Sequence, residues 1–170
     1  QFLISKIVSL SVCDLLKSFD IDAEIKWPND ILVLKQKIAG ILIQNKLHGN
    51  YITHSVIGLG FNVNQLVFKT YHPKATSLRL HQNSKYEVSK IKDQFLSLLF
   101  KRLESLKVVN ELDNNYSNAL FLKEKIATFE SDNKQFMGII KGVSEAGKLL
   151  VQLDDESITE FENQKIKYLF

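Results

Sequence analysis

Apolar residues recur every three or four positions from Phe2 to Phe19, at Leu3, Ile4, Ile7, Val8, Val12, Leu15, Leu16 and Phe19, with no glycine or proline between them. That spacing predicts an amphipathic helix. Asp20 to Asp22 break the pattern, and Ala23 to Trp27 read as a strand stopped by Pro28, Asn29 and Asp30. A short strand over Ile31 to Leu34 follows. Lys35, Gln36 and Lys37 then form a polar turn into a strand from Ile38 to Leu47, and His48, Gly49 and Asn50 a second turn into a strand from Tyr51 to Val63. Together these segments predict an antiparallel meander. The stretch from Asn64 to Lys85 shows no period and contains Pro73, so it reads as a long loop free to cross the sheet. Ser84 with Glu87 three residues on is a capping-box signature. Val88, Ile91, Phe95, Leu98, Leu99, Arg102 and Leu106 then follow at helical spacing, enough to cover one sheet face. A shorter helix is expected around Glu111 to Leu122.

Beyond that point the texture changes to short strands: Lys125 to Glu130, Gln135 to Val143, Lys148 to Leu153, Ile158 to Phe161 and Ile166 to Phe170, each bounded by turn residues. Closely spaced strands remove their edges by closing, so a small β-barrel is expected here. The fold class is therefore α+β, a mixed or antiparallel sheet with covering helices followed by a small C-terminal β-barrel, divided into residues 1–122 and 123–170.

Composition narrows the picture. The 170 residues are 45% hydrophobic, enough for one medium domain with a small appendage. A net charge of +3, with both signs mixed along the chain, is too small to make nucleic acid the main partner, although an anionic small molecule needs less. No apolar run reaches the roughly 18 to 20 residues of a membrane span, and no secretory signal is visible, so a cytoplasmic protein with no membrane partner is expected. The single cysteine, Cys13, lies in the apolar helical pattern and is read as buried and structural. The chain opens at Gln1 and runs straight into an apolar helix, from which we expect it to begin inside a larger protein.

Three stretches of the meander place polar residues or glycines where strand composition alone would not. In Lys26, Trp27, Pro28, Asn29, Asp30, the proline takes the strand out of its ladder just where an amide and a carboxylate are presented; an ordinary strand exit with an Asx turn reads the same way. In Lys37, Ile38, Ala39, Gly40, Ile41, Leu42, a lysine opens an apolar strand and Gly40 leaves room for a ligand or another backbone, though a solvated hairpin lysine and a bulge glycine fit too. The third, Gly58, Leu59, Gly60, Phe61, Asn62, lacks the following helix of a phosphate loop. Its two glycines leave space for a flat ring, with Asn62 beside it; a twisted or bulged strand is the alternative. The four histidines, His48, His54, His72 and His81, have no metal-ligand spacing, and Asp154, Asp155, Glu156 reads as a solvated turn.

In this order and at these separations, the three stretches resemble the central motifs of the biotin protein ligases. The likeness extends over nearly the whole chain, since that family's small C-terminal β-barrel is similar to the strand-rich tail here. The resemblance implies a class II synthetase-like catalytic domain that joins biotin and ATP into biotinyl-5′-adenylate. It also implies transfer of biotin to a lysine of the biotin carboxyl carrier protein of acetyl-CoA carboxylase, with Mg2+ accompanying ATP and a homodimer allowed. Lys37 becomes the lysine that contacts the biotin carboxylate and the α-phosphate. Asp30 becomes the motif aspartate that holds Lys37 or a magnesium ion. Lys26, Trp27, Asn29, Gly40, Gly58, Gly60 and Asn62 become the remaining biotin and ATP site, with Asn62 by the adenine and Trp27 packed beneath.

Two departures qualify the resemblance. The family's arginine- and glycine-rich loop, which folds over biotin and the phosphates, is not found in residues 1–170, so the chain alone is expected to be inactive. Gln44 stands where a glutamate is usual. Two other functions compete with the leading one: a lipoate or octanoate ligase, which also joins an acid to a carrier lysine, and a non-catalytic binding or regulatory module, for which no helix-turn-helix is visible.

Overall fold

A computed structural model describes residues 2–49, 51–69, 73–104 and 109–170. Asn50, His72 and Leu106, used above in a turn, a histidine census and a helix pattern, lie outside the described residues. The first helix, α1 (Phe2–Lys17), buries Ile7, Val8, Leu10, Val12, Leu15 and Leu16. It also buries Ser9, Ser11 and Lys6, because helices and sheet enclose it on more than one side. Lys6 keeps its charge satisfied through Asp113 at 2.7 Å and the ring of Phe2 at 5.2 Å. The helix ends where Asp20 adopts φ 57°; the Ile21 amide donates to the Leu16 carbonyl at 3.1 Å and the Asp20 amide to Lys17 at 2.9 Å. This is a Schellman termination with aspartate in the left-handed position.

The meander is a four-stranded antiparallel sheet in chain order: β1 (Glu24–Lys26), β2 (Asp30–Val33), β3 (Gln36–His48) and β4 (Tyr51–Phe61). Leu34 and Lys35, both at positive φ, turn β2 into β3, the two-residue geometry that matches strand twist. Adjacent residues alternate faces. The register row Ile25, Ile31, Ala39 is buried, so the neighbouring row Lys26, Asp30, Gly40, Gly60 faces the other way.

Between residues 64 and 85 the expected long loop is interrupted by a helix, α2 (Leu78–Gln82), capped by Ser77. Five residues are too few to show a period. The segment before α2 pairs in parallel with the start of β3: the Lys37 amide donates to Lys74 O at 2.7 Å and the Thr76 amide to Lys37 O at 2.9 Å. The long helix α3 (Val88–Glu104) packs on α1, where Arg102 grips Asp14 through Nε at 2.5 Å and Nη2 at 2.8 Å. The capping box expected at Ser84 does not form. Glu87 stands at the helix start itself, its carbonyl accepting from the Ile91 amide and its carboxylate from the Ser89 hydroxyl. Asn64 instead holds the entry, bonded through its side chain to both the amide and the carbonyl of Tyr86.

After α4 (Val109–Asn118), residues 119–124 hydrogen-bond to both sheets. Phe121 and Ala119 flank Ile25 of β1, and the Glu124 amide donates to Ile140 at 3.0 Å. The tail is an antiparallel sheet of β5 (Ile126–Ser131), β6 (Lys134–Val143), β7 (Leu149–Gln152), β8 (Ile158–Phe161) and β9 (Lys167–Leu169), in the order β8-β7-β6-β5-β9. Phe129, Ile140, Leu149 and Val151 form its core. The α+β class read from the sequence is the one observed. Closure into a barrel is not: among the described residues the ladder ends on β8 at one side and β9 at the other.

Candidate functional site

Four strands each place one residue of the outward row side by side: Lys26 opposite Asp30, Asp30 opposite Gly40, Gly40 opposite Gly60. A carboxylate therefore stands next to two strands of bare backbone. Lys37, at the start of β3, reaches back along the sheet so that Nζ lies 2.5 Å from Asp30 Oδ1, while Lys26 Nζ lies 3.9 Å from Oδ2. The Lys37 side chain is 39% exposed against 17% for Lys26, so Lys37 is the cation a ligand can meet. Gly40 provides the room it needs. A β-carbon there would sit 3.1 Å from both Cε and Nζ of Lys37. A cavity of about 480 Å³ opens over this floor, walled by Asp30, Lys37, Gly40, Gly60 and Asn62 and by Gln65, Phe68, Pro73 and Ala75 of the segment before α2. Its size suits a small-molecule ligand.

Of the remaining motif residues, Trp27, Asn29 and Gly58 lie outside the cavity lining and Asn62 lies in it. Trp27 is buried, and its indole N–H donates to the Gly147 carbonyl at 2.9 Å, in the turn between β6 and β7. Asn29 Nδ2 donates to Ile41 O at 2.9 Å and the Asn29 carbonyl accepts from the Ile41 amide, stapling the start of β2 to β3. Gly58 sits opposite Leu42, two residues before Gly60 in β4. Asn62 uses Nδ2 to hold Thr76 O at 3.0 Å, which leaves its side-chain oxygen for other bonds. Gln44 is exposed and pairs with Val56 in the outer half of the hairpin.

Two ammoniums and one carboxylate give the row one positive charge in excess when all three are ionised. Burial pushes the Lys26 pKa below the usual lysine value, Asp30 opposes that shift, and Lys37 adds to it. Such a site favours an anion. It does not fit a protein-held magnesium ion, because Asp30 faces an ammonium on each oxygen and, among the described residues, no group of three or more His, Cys, Asp or Glu gathers to bind a metal. Of the histidines, His81 bonds Thr76 Oγ1 at 3.0 Å. Asp155 caps its own turn through the amide and hydroxyl of Ser157, which hold its carboxyl below the usual range. Sequence reasoning missed the wall formed by Gln65, Phe68, Pro73 and Ala75. The only local signal was the pair of polar residues bracketing it: Asn64 ties down Tyr86, and Ser77 caps α2 and donates to Gln65 O at 2.6 Å.

Residues 2–62 match the family described as Biotin/lipoate A/B protein ligase family. Biotin--protein ligase 1, chloroplastic, of Arabidopsis thaliana is 28% identical over 176 aligned residues, covering 93% of this chain and 46% of that protein. The Bifunctional ligase/repressor BirA of Bacillus subtilis is 44% identical over 45 residues, 26% of this chain and 14% of its own length. The chain thus spans less than half the length of either relative. Among solved structures, the apo biotin protein ligase of Aquifex aeolicus superposes with a TM-score of 0.80 at 20% identity, covering 99% of this chain and 75% of that one. The same Aquifex enzyme in complex with biotin and ATP superposes at 0.77, again at 20% identity, covering 99% and 71%. At this identity the superpositions show a shared fold. No helix among the described residues is long and apolar enough to cross a membrane.

Proposed function

We propose that this chain, which is similar to the biotin protein ligases in motif, relatives and fold, forms the biotin- and ATP-binding floor of such a ligase. Residues 1–122 would supply part of the catalytic domain and 123–170 an appended β-domain. In the first step a carboxylate oxygen of biotin attacks the α-phosphorus of ATP, the bond to the β,γ-diphosphate breaks, and pyrophosphate leaves, giving biotinyl-5′-adenylate. In the second, the ε-amine of a lysine on the biotin carboxyl carrier protein of acetyl-CoA carboxylase attacks the acyl carbon, AMP leaves, and an amide forms. Neither step needs a protein nucleophile. We place the reaction in the cytoplasm, where ATP and the carrier are available.

The observation that carries this reading is the row Lys26, Asp30, Gly40, Gly60 with Lys37 laid across it. Biotin carboxylate and ATP phosphate are both anions that must come within bonding distance, and charge builds on the phosphoryl oxygens as they react. Lys37 would lie between them, with Asp30 holding the ammonium in place and two of its N–H groups left for substrate. The glycines let flat substrate groups lie against backbone, and the free side-chain oxygen of Asn62 would meet the adenine. Because among the described residues the cavity is walled by this sheet and by Gln65, Phe68, Pro73 and Ala75, residues 1–170 alone should form little adenylate without the family's arginine- and glycine-rich loop; robust turnover by them would contradict that.

The family match covers lipoate ligases as well, and so acid specificity is the deciding test. The chain extended upstream with that loop should form an adenylate from biotin that excess lipoate does not suppress. Preferential use of lipoate or octanoate would reassign it to the other branch.

A further inference from the structure

Lys26 lies outside the cavity lining, yet its ammonium is largely buried and, among the described residues, has no hydrogen-bond partner within ordinary reach: Asp30 Oδ2 is 3.9 Å away. Its other neighbour comes from the far end of the chain. The ring of Tyr168, in β9 of the second sheet, presents its face 4.9 Å from Lys26 Nζ. That ring is itself fixed, edge to face with Phe129 at 5.4 Å and Phe170 at 6.4 Å, and it is 8% exposed. A buried ammonium without a full set of hydrogen bonds needs compensation, and the negative face of a desolvated aromatic ring supplies it.

On the ligase reading above, we infer that Tyr168 is a positioning residue of the active site: its ring face holds Lys26 behind Asp30, which keeps the second carboxylate oxygen occupied and the first aimed at Lys37. With the ring face lost, Lys26 has two alternatives. It can swing toward water, or it can close on Asp30 and compete with Lys37 for the carboxylate. Either outcome loosens the lysine that meets substrate. The adjacent residue is anchored to the same sheet independently, by the Trp27 bond to Gly147. Both contacts let the second sheet back the floor of the site from behind.

The test replaces Tyr168 with Phe and then with phenylalanines carrying increasing numbers of ring fluorines, which drain the ring face at nearly constant volume. Two quantities are read: the titration of Lys26 by ¹³Cε lysine NMR on residues 1–170, assigned with Lys26→Arg, and adenylate formation by the loop-extended chain. Tyr168→Phe, which keeps the ring face, is the reference for the series. Across the fluorine series the charged form of Lys26 loses support, so its proton affinity should fall by about tenfold at full fluorination. The adenylation kcat should fall in step while KM for biotin holds. A Lys26 titration that ignores the series overturns the inference, and so does a Lys26 shift with unchanged adenylation. If Lys26 follows the series but no chain forms adenylate, the hold on Lys26 is supported and the ligase reading is rejected.

Discussion

Gly40 is the residue whose smallness has the most specific cause. A β-carbon there would press to 3.1 Å on the two terminal atoms of Lys37, whereas at Gly60 and Gly58 it would meet only ordinary contacts at 3.7 Å. Gly40→Ala should therefore reduce adenylate formation by an order of magnitude or more with little change in melting temperature. A single-turnover assay beside a thermal melt checks this, and a large loss of stability would contradict the assignment. Lys26 carries a complementary expectation. Its folded pKa is lowered, chiefly by burial, so the unfolded chain binds that proton more tightly. The penalty is fully present below the folded pKa and is relieved as pH rises from there toward the ordinary value of 10.5. Lys26→Met should thus leave the melting temperature at neutral pH unchanged or raised, and flatten its rise with alkaline pH, while adenylation falls. The identities of Lys26, Asp30, Lys37 and Gly40 were legible because a charged residue or glycine interrupts an apolar strand. The bracing duty of Asn29 was not, since its partner Ile41 is twelve residues away across a register that only the fold defines.

Among the elements, those bounded by clear turn or breaker residues were read well, and a short helix inside a polar stretch was not. The helix predicted over Phe2 to Phe19 is observed as Phe2–Lys17, and all five tail strands lie within a residue of their expected ends. The five residues of α2 escaped notice, and Glu87 took the helix-start position assigned to Ser84 because Asn64, distant in sequence, fixes the chain at Tyr86. The end of α1 offers a direct check on element energetics. Asp20 occupies a left-handed position that glycine adopts without steric cost. Asp20→Gly should stabilise the chain by about 0.5–1 kcal/mol, seen as a higher midpoint in urea with unchanged slope. A lower midpoint would show that the aspartate makes a compensating contact.

For the whole molecule, the two sheets meet through residues 119–124, through Trp27 and Gly147, and through Lys26 and Tyr168. None of these pairings leaves a trace in local sequence, so the strand-rich tail was legible as an appendage and not as a support behind the site. Its closure into a barrel was inferred from strand spacing alone, and spacing does not determine whether the outer strands pair. Gly147 tests the junction. It has φ 88°, and a β-carbon would lie 2.9 Å from the Phe2 ring, so Gly147→Ala should cost about 1–3 kcal/mol in a thermal melt and weaken adenylation through the displaced Trp27. Unchanged stability would mean that the turn moves freely against α1.

In the proposed reaction Lys37 is the cation shared by carboxylate and phosphate. The measurement that tests it most directly is single-turnover formation of biotinyl-adenylate from biotin and ATP by the loop-extended chain, with and without Lys37→Ala. Loss of this contact should cost on the order of 3 kcal/mol, a fall of about a hundredfold or more in rate, with the fold intact by circular dichroism. Adenylate formation at the wild-type rate in the folded variant would contradict the account.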